Sequence, residues 1–237
     1  MADFFIAHGA DPVKAARRLD LKEAWDGHGN RIDWSKVDVD RDYKFLLQHG
    51  AAENEELAVY AAMAGDAQKL RLIAQYSPKP FSADILNHAA WGDGPAAVDY
   101  LLDNFDFTAA DKQEALKAAA KSNKSENFQH ILDRFTPDQA TLDDILIETA
   151  DNADSDVLDI CLKKFSYTPE IRQKALDAAA AGALKHPNAV GSLNRLLDEP
   201  AIPRAQKIAA LQDIMAEQPD LTGLLVRNAG TRDFKPN

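Results

Sequence analysis

Hydrophobic residues recur along this chain in a pattern that repeats every 28 to 30 residues. Each period holds two apolar stripes with the spacing of an amphipathic helix. In the period near residue 90 the first stripe is Ile85, Leu86, Ala89 and Ala90, and the second is Val98, Leu101 and Leu102. No segment alternates with a period of two residues. The pattern therefore predicts pairs of helices and almost no sheet.

A pair of small residues stands near the end of each predicted first helix. The pairs are Ala61-Ala62, Ala89-Ala90, Ala119-Ala120, Thr149-Ala150 and Ala179-Ala180. Small residues let neighbouring helices approach closely, and long aliphatic residues on the second helices fill the space between repeats. A fixed period of this size is typical of a stacked repeat array. We therefore predict an all-α solenoid of about six or seven helix–turn–helix repeats.

Helix-start signals accompany the repeats. Thr136-Pro137 and Thr168-Pro169 place a hydroxyl group before a proline, which favours the first turn of a helix. Two other threonines, Thr108 and Thr141, are each followed three residues later by an aspartate, as in a capping box. The fifth repeat is longer than the others, and we expect its inter-helix turn to bulge at residues 182–187.

The regularity of the pattern varies along the chain. We predict one repeat domain over residues 1–237. Its parts are irregular N-terminal repeats at 1–50 with an insertion at 25–42, regular repeats at 51–200, a C-terminal capping repeat at 201–230 and a frayed tail at 231–237.

Several segments resemble the ankyrin repeat. The closest are the stretch from Ala61-Ala62 to Gly65-Asp66, the pair Ala89-Ala90 followed by Val98 and Leu101-Leu102, and the tail from Leu46 to Ala51. The resemblance extends over about residues 1–230. The Thr-Pro-Leu-His start of the family is absent, and the period is shorter than the family's roughly 33 residues. We therefore expect short or missing β-hairpin fingers. Tetratricopeptide arrays and HEAT-like solenoids are the alternatives.

The resemblance to ankyrin repeats implies a protein-binding function without catalysis. In such arrays the two residues after the paired alanines lie on a concave face that varies with the partner. Trp91 stands out because a Trp beside glycines at a turn is poorly placed for a core, and exposed aromatics are favoured anchors at interfaces. The implied partner-binding residues are Tyr60, Met63, Trp91, Asp93, Lys121, Asp151 and Asn152. The competing interpretation of Trp91 is a ring that lies flat over its own repeat.

Charge restricts the classes of partner. The net charge is −11, and residues 81–170 hold eighteen acids against seven bases. Phosphate contacts need basic side chains, so we expect no nucleic-acid ligand. A protein partner with a basic surface is compatible with this charge. The alternative is that the acids only keep the surface solvated.

The N-terminal insertion offers an alternative function. It combines carboxylates, a histidine and two indoles, which could bind a small molecule or perform acid–base chemistry on it. The candidate residues are Trp25, Asp26, His28, Asn30, Arg31, Asp33 and Trp34. A structural loop that caps the first repeat is the competing interpretation. A third hypothesis is an oligomeric module whose acidic repeat docks on another subunit.

Other chemistry has little support in the sequence. No two histidines have the helical spacing of a metal pair, and we expect no metal and no cofactor. Cys161 is the single cysteine, so it forms no internal disulfide, and its position on a second-helix stripe predicts a buried side chain. No apolar run is long enough to span a membrane. We expect a non-enzymatic protein of the cytoplasm.

Overall fold

The computed structural model describes Ile6, Lys79 and residues 9–21, 38–77, 81–152, 155–186 and 190–217. Within these residues the regular structure is thirteen α-helices and one 3-10 turn, and there is no strand. The prediction of an all-α fold is confirmed for this part of the chain.

The chain divides into two compact units, residues 1–115 and 116–237, and each is described by itself. The elements of the first unit are α1 Pro12–Leu21, α2 Val39–Gln48, a 3-10 turn Ala51–Glu53, α3 Glu55–Met63, α4 Ala67–Tyr76, α5 Ala83–Trp91 and α6 Ala96–Asn104. Helix α7, Ala109–Lys121, contains the boundary between the units. The second unit continues with α8 Ser125–Leu132, α9 Gln139–Asp151, α10 Asp156–Lys164, α11 Pro169–Lys185, α12 Gly191–Asp198 and α13 Arg204–Glu217.

Each unit is built from helix hairpins that pack on their neighbours in two layers. In the first unit, α1 contacts α3 and α3 contacts α5, while α2 contacts α4 and α4 contacts α6. In the second unit, α9 contacts α11 and α11 contacts α13, while α8 contacts α10. First helices therefore pack on first helices and second helices on second helices, which is the packing expected of helical repeats.

The paired small residues lie where neighbouring first helices meet. All five pairs are buried, as are the leucines three or four residues before them, Leu57, Leu86, Leu116, Leu146 and Leu176. Thr149 replaces an alanine at no loss of hydrogen bonding, because its hydroxyl donates to the Ile145 carbonyl at 2.7 Å. The regular recurrence of these small residues along the chain thus fits the close packing of the first helices.

The turn inside a hairpin uses a residue in the left-handed backbone conformation. Gly65 has φ 67°, and its N–H and that of Asp66 donate to the carbonyls of Ala62 and Ala61. Asn123, with φ 52°, occupies the equivalent position after Ala119-Ala120 and makes the same pair of bonds with Lys124. This pattern is a Schellman motif, which satisfies the last helical carbonyls and turns the chain toward the second helix.

The predicted helix starts have mixed outcomes. Thr168 caps α11 by accepting from the N–H of Ile171, with Pro169 in the first turn, as predicted. Thr108 and Asp111 form a reciprocal capping box, which also lowers the pKa of Asp111 through hydrogen bonds from Thr108. The predictions at Thr136-Pro137 and Thr141 are wrong, because Asp138 is the cap of α9 and accepts from the N–H of Thr141 at 2.8 Å.

The fifth repeat also differs from its prediction. Helix α11 continues to Lys185, so its surplus residues add helical turns where a bulged turn was expected. Gly182 lies inside this helix, and a Cβ there would be 2.5 Å from the carbonyl oxygen of Asp151. The longer helix is compatible with the array because a glycine faces the end of α9.

Described linkers between hairpins are short. Residues 105–108 and 165–168 connect consecutive hairpins without a strand. Phe107 and Tyr167 occupy equivalent positions in these linkers, and both are buried. A buried aromatic side chain thus occupies the third position of each of these two linkers. The residues predicted for the capping repeat beyond Glu217 and for the tail lie outside the described part, and a single array over 1–237 stays a prediction.

Candidate protein-binding surface

The outer face of the first helices in the first unit carries a regular set of side chains. Helix α3 presents Glu56, Tyr60 and Met63, which follow one another at intervals of four and three residues. Helix α5 presents Asp84, His88 and Trp91 at the same intervals. Residues with this spacing lie on one face of a helix. We call these six residues the outer face.

Trp91 is the most unusual member of the outer face. Its side chain is 50% exposed, and it is the exposed large hydrophobic residue among those that the structure describes. The prediction that it is not a core residue is confirmed. An exposed indole loses little conformational entropy on binding and offers a large contact area, as anchor residues of interfaces do.

The backbone after Trp91 is fixed by the preceding hairpin. The N–H of Asp93 donates to the Met63 carbonyl at 2.8 Å. Gly92 is buried against the end of α3, where a Cβ would lie 2.5 Å from the Met63 carbonyl oxygen, and the carbonyl of Asp93 contacts Gly65. Glycines at 65 and 92 therefore allow two turns to touch, and this contact holds Trp91 and Asp93 in place.

The other predicted residues of the first unit have different surroundings. Tyr60 is half-buried, and the guanidinium of Arg17 lies 4.9 Å from its ring centroid. Arg17 also forms an ion pair with Glu56, with Nη1 and Oε1 3.0 Å apart. Met63 is half-buried beside the turn, and Asp93 is exposed. Tyr60 thus contacts a side chain of α1, and Trp91 and Asp93 are both exposed.

The predicted residues of the second unit lie at the ends of α7 and α9. Lys121 and Asp151 are exposed, and Asn152 is half-buried. The Lys121 ammonium is 4.0 Å from the Glu148 carboxylate, and the Lys185 ammonium is 3.0 Å from that of Asp151.

Further ion pairs join neighbouring hairpins in this unit. Lys117 pairs with Asp144 at 3.3 Å, and Arg195 pairs with Asp159 at 2.9 Å and with Asp156 at 3.8 Å. The acids of the α9–α10 hairpin are therefore largely matched by bases on either side. Exposed pairs of this kind contribute little each. Two of these bases, Lys185 and Arg195, lie outside residues 81–170 and offset part of the negative charge counted there.

Several residues of this surface were not identified from the sequence. Asp84, His88 and Glu56 could have been found by extending the helical spacing backwards from Trp91 and Tyr60. The Nδ1 of His88 is 2.9 Å from the Asp84 carbonyl oxygen and 3.4 Å from its carboxylate. The Arg17 contact could not have been found, because it depends on how α1 packs against α3.

Sites for small molecules or metals have no support among the described residues. The alternative site from Trp25 to Trp34 lies outside the described part and stays a prediction. No group of three or more His, Cys, Asp or Glu that could hold a metal occurs in the described ranges. A pocket of about 70 Å³ between the 3-10 turn and the end of α4 is small beside the roughly 300–1,000 Å³ of ligand sites.

The structure also bears on two further predictions from the sequence, the burial of Cys161 and the lack of a membrane-spanning segment. Cys161 is fully buried, as predicted from its place on the second-helix stripe. No helix in the described part of the chain is both long and apolar enough to cross a bilayer.

Comparison with protein-family models found no match, and comparisons with curated proteins and with solved structures found none either. Function is therefore inferred from the residues of this chain.

Proposed function

We propose that this chain is a protein-binding module, an ankyrin-like array of helix hairpins, which holds a partner protein through the outer face around Trp91. No chemical step is assigned to it. The exposure of Trp91 carries the proposal, because exposed Trp side chains are enriched among the anchor residues of protein interfaces.

The rigidity of the turn supports the same proposal. Association is less costly when the contacting groups are already ordered. Trp91 ends a helix, and the next two residues are packed against the preceding hairpin by the Gly92 contact and the bond from Asp93 to Met63. The backbone that carries the indole is therefore held in place, next to the end of α3 at Met63.

The ankyrin-like assignment draws on the two-layer packing within each unit and on the short turns that follow the paired alanines. It places the outer face of α3 and α5 on the side that binds partners in that family. Tyr60, Met63, Trp91 and Asp93 form the proposed surface of the first unit. Lys121, Asp151 and Asn152 are proposed as contacts of the second unit.

A capture experiment tests this function. Wild-type chain, Trp91→Ala and Gln75→Ala are immobilised and exposed to a lysate of the native cells, and retained proteins are quantified by mass spectrometry. Gln75 is an exposed residue of α4 in the same unit, so it is the control for a surface change elsewhere. We expect at least one protein to be retained by wild type and Gln75→Ala and lost with Trp91→Ala. Identical retention by all three chains would reject the proposal.

A further inference from the structure

Ion pairs of surface side chains join several neighbouring first helices. They are Arg17–Glu56 between α1 and α3 in the first unit, and Lys117–Asp144, Lys121–Glu148 and Lys185–Asp151 between α7, α9 and α11 in the second. Between α3 and α5, whose residues are all described, no ion pair occurs. Asp84 and His88 of α5 pair with each other instead. The outer residues of α5 are therefore not held by charged partners on the preceding first helix.

The ring of His88 has a defined orientation. His88 lies one turn before Trp91 on the same face of α5, and 34% of its side chain is exposed. Its Nδ1 is 2.9 Å from the carbonyl oxygen of Asp84 and 3.4 Å from the carboxylate of the same residue. Both oxygens can only accept, so Nδ1 carries the hydrogen and donates it. In the neutral ring Nε2 therefore has no hydrogen and keeps its lone pair.

The Nε2 atom of His88 is accessible from outside the chain. It makes no hydrogen bond with any residue that the structure describes, and it is not enclosed by protein. Because a neutral Nε2 is an acceptor, it can bind only a donor group. The outer side of α5 thus presents an exposed indole and, one turn away, an exposed hydrogen-bond acceptor.

We propose that His88 determines specificity at the outer face: its Nε2 accepts a hydrogen bond from the hydroxyl group of a partner tyrosine whose ring packs against the Trp91 indole. The inference rests on the proposed function, because it names the partner chemistry at the same surface. Aromatic rings pack favourably on one another in offset or edge-to-face arrangements. The Cβ atoms of residues three apart in a helix are about 5–6 Å apart, which is comparable with the length of a phenol group. A phenylalanine would satisfy the indole alone and a serine the imidazole alone, whereas a tyrosine satisfies both.

Nuclear magnetic resonance with short peptides tests the inference. The probe is the acetylated and amidated pentapeptide Gly-Ser-Tyr-Ser-Gly, and its matched control has phenylalanine in place of tyrosine, which removes only the hydroxyl group. The readout is the indole N–H resonance of Trp91 in ¹⁵N-labelled full chain, assigned by its loss in Trp91→Phe. Titrations are run at pH 8, where a histidine ring is ordinarily neutral. We expect the tyrosine peptide to bind with a Kd about three- to ten-fold lower than that of the phenylalanine peptide.

The same labelled chain tests the assigned tautomer. In the absence of peptide, the ¹⁵N shift of His88 Nε2 should be that of a nitrogen without hydrogen, and the shift of Nδ1 should be that of an N–H. Addition of the tyrosine peptide should move the Nε2 resonance more than the Nδ1 resonance, because only Nε2 receives the new bond.

Three variants locate the effect. His88→Asn can keep a donor near the position of Nδ1 but removes the acceptor, whereas His88→Gln can place an amide oxygen near the position of Nε2. The control is His49→Asn, because His49 of the same unit also bonds through Nδ1 to the carbonyl four residues earlier, at 2.8 Å, but follows α2. We expect the preference for tyrosine to disappear in His88→Asn, to persist in part in His88→Gln and to be unchanged in His49→Asn. Circular dichroism of each variant verifies that the helices are intact.

Four results would overturn the inference. They are no binding of the tyrosine peptide, an equal Kd for the two peptides, a preference that His88→Asn leaves unchanged, and a free chain in which the ring hydrogen is on Nε2. None of these rejects the proposed function, since loss of a retained protein with Trp91→Ala in the capture experiment does not depend on a hydroxyl group of the occupant.

Discussion

At the residue scale, Cys161 and Tyr167 show how burial controls ionisation. Cys161 is fully buried, and burial raises the pKa of its thiol to about 12, with a smaller opposing effect from the Tyr167 hydroxyl. Burial is also the largest of the causes that raise the pKa of Tyr167. Both groups are therefore held in their neutral forms by the fold, and both ionise more readily in the unfolded chain.

This arrangement predicts a loss of stability at alkaline pH. The folded pKa of Cys161 exceeds its unfolded value near 9, so the native state binds more protons between pH 9 and pH 12. The free energy of unfolding should then fall as pH rises, by at most about 1.4 kcal/mol per pH unit from this one group. Urea unfolding at pH 8, 9 and 10 measures the slope.

The matched variant is Cys161→Ala, which removes the thiol. Its free energy of unfolding is expected to be lower at pH 8 because of the small cavity, but to decline less steeply above pH 9 than that of wild type. Parallel slopes for the two proteins would contradict the assigned cause.

Sequence reasoning at this scale succeeded where a position in the repeat determines the environment. The exposure of Trp91 and the burial of Cys161 both followed from register within the period. The Arg17–Tyr60 contact did not, because it joins residues 43 positions apart through helix packing.

At the element scale, hydrophobic spacing predicted the helices well, whereas it predicted their ends less well. Thr136-Pro137, Asp138 and Thr141 are three local start signals within six residues, and local chemistry allows each of them. Packing selects Asp138, because Thr141 and Leu142 are buried in the first turn of α9. A helix start chosen by burial cannot be read from capping preferences alone.

The turn residue Asn123 links successive hairpins of the second unit. Its side-chain oxygen accepts from the Ser155 hydroxyl and the Val157 N–H, both at 3.3 Å. Asn123→Gly keeps the left-handed backbone accessible but removes these bonds, and we expect a loss of about 1–2 kcal/mol in the free energy of unfolding. Asn123→Ala should lose about 1 kcal/mol more through backbone strain. Chemical denaturation gives both values, and a glycine variant as stable as wild type would show that the cross-hairpin bonds contribute nothing.

Helix α11 offers a test of close helix packing. Replacing a helical glycine by alanine normally stabilises a protein by up to about 1 kcal/mol. At Gly182 the new Cβ would be 2.5 Å from the Asp151 carbonyl oxygen, so α9 and α11 would have to separate. We expect Gly182→Ala to destabilise the fold by roughly 1–3 kcal/mol in thermal or urea unfolding.

The adjacent exposed residue is the control for this change. Ala181→Gly should lower stability by about 1 kcal/mol through helix propensity alone. A stabilising effect of Gly182→Ala would mean that α9 and α11 do not meet at this point.

At the scale of the whole molecule, net charge affects the rate at which the protein associates with a partner. The chain carries a net charge of −11, and the segment around Trp91 has no Lys or Arg between residues 80 and 111. If the partner is basic at its contact, complementary charge accelerates encounter, and salt screens it. We expect the association rate constant to fall about ten-fold between 50 and 300 mM NaCl, as measured by stopped-flow mixing with the captured partner. A rate constant that does not change with salt would show that charge plays no part in recognition.

The repeat period predicted the helical hairpins and their two-layer packing because each hairpin needs its neighbour to cover its apolar side. The same period could not identify the partner, because the residues on the outer face are free to vary without affecting the core. Counts of charged residues over long stretches of the sequence also could not show which acids are paired with bases. The acids of α9 and α10 looked like a docking patch, yet Lys117, Lys185 and Arg195 pair with several of them.

The most direct test of the account is calorimetric titration of the purified captured partner with wild-type chain and with Trp91→Ala. The account predicts that the substitution weakens binding by about 2 kcal/mol, roughly a 30-fold higher Kd, while the unfolding midpoint changes little. An unchanged Kd in a variant that remains folded would contradict the claim that Trp91 anchors the partner.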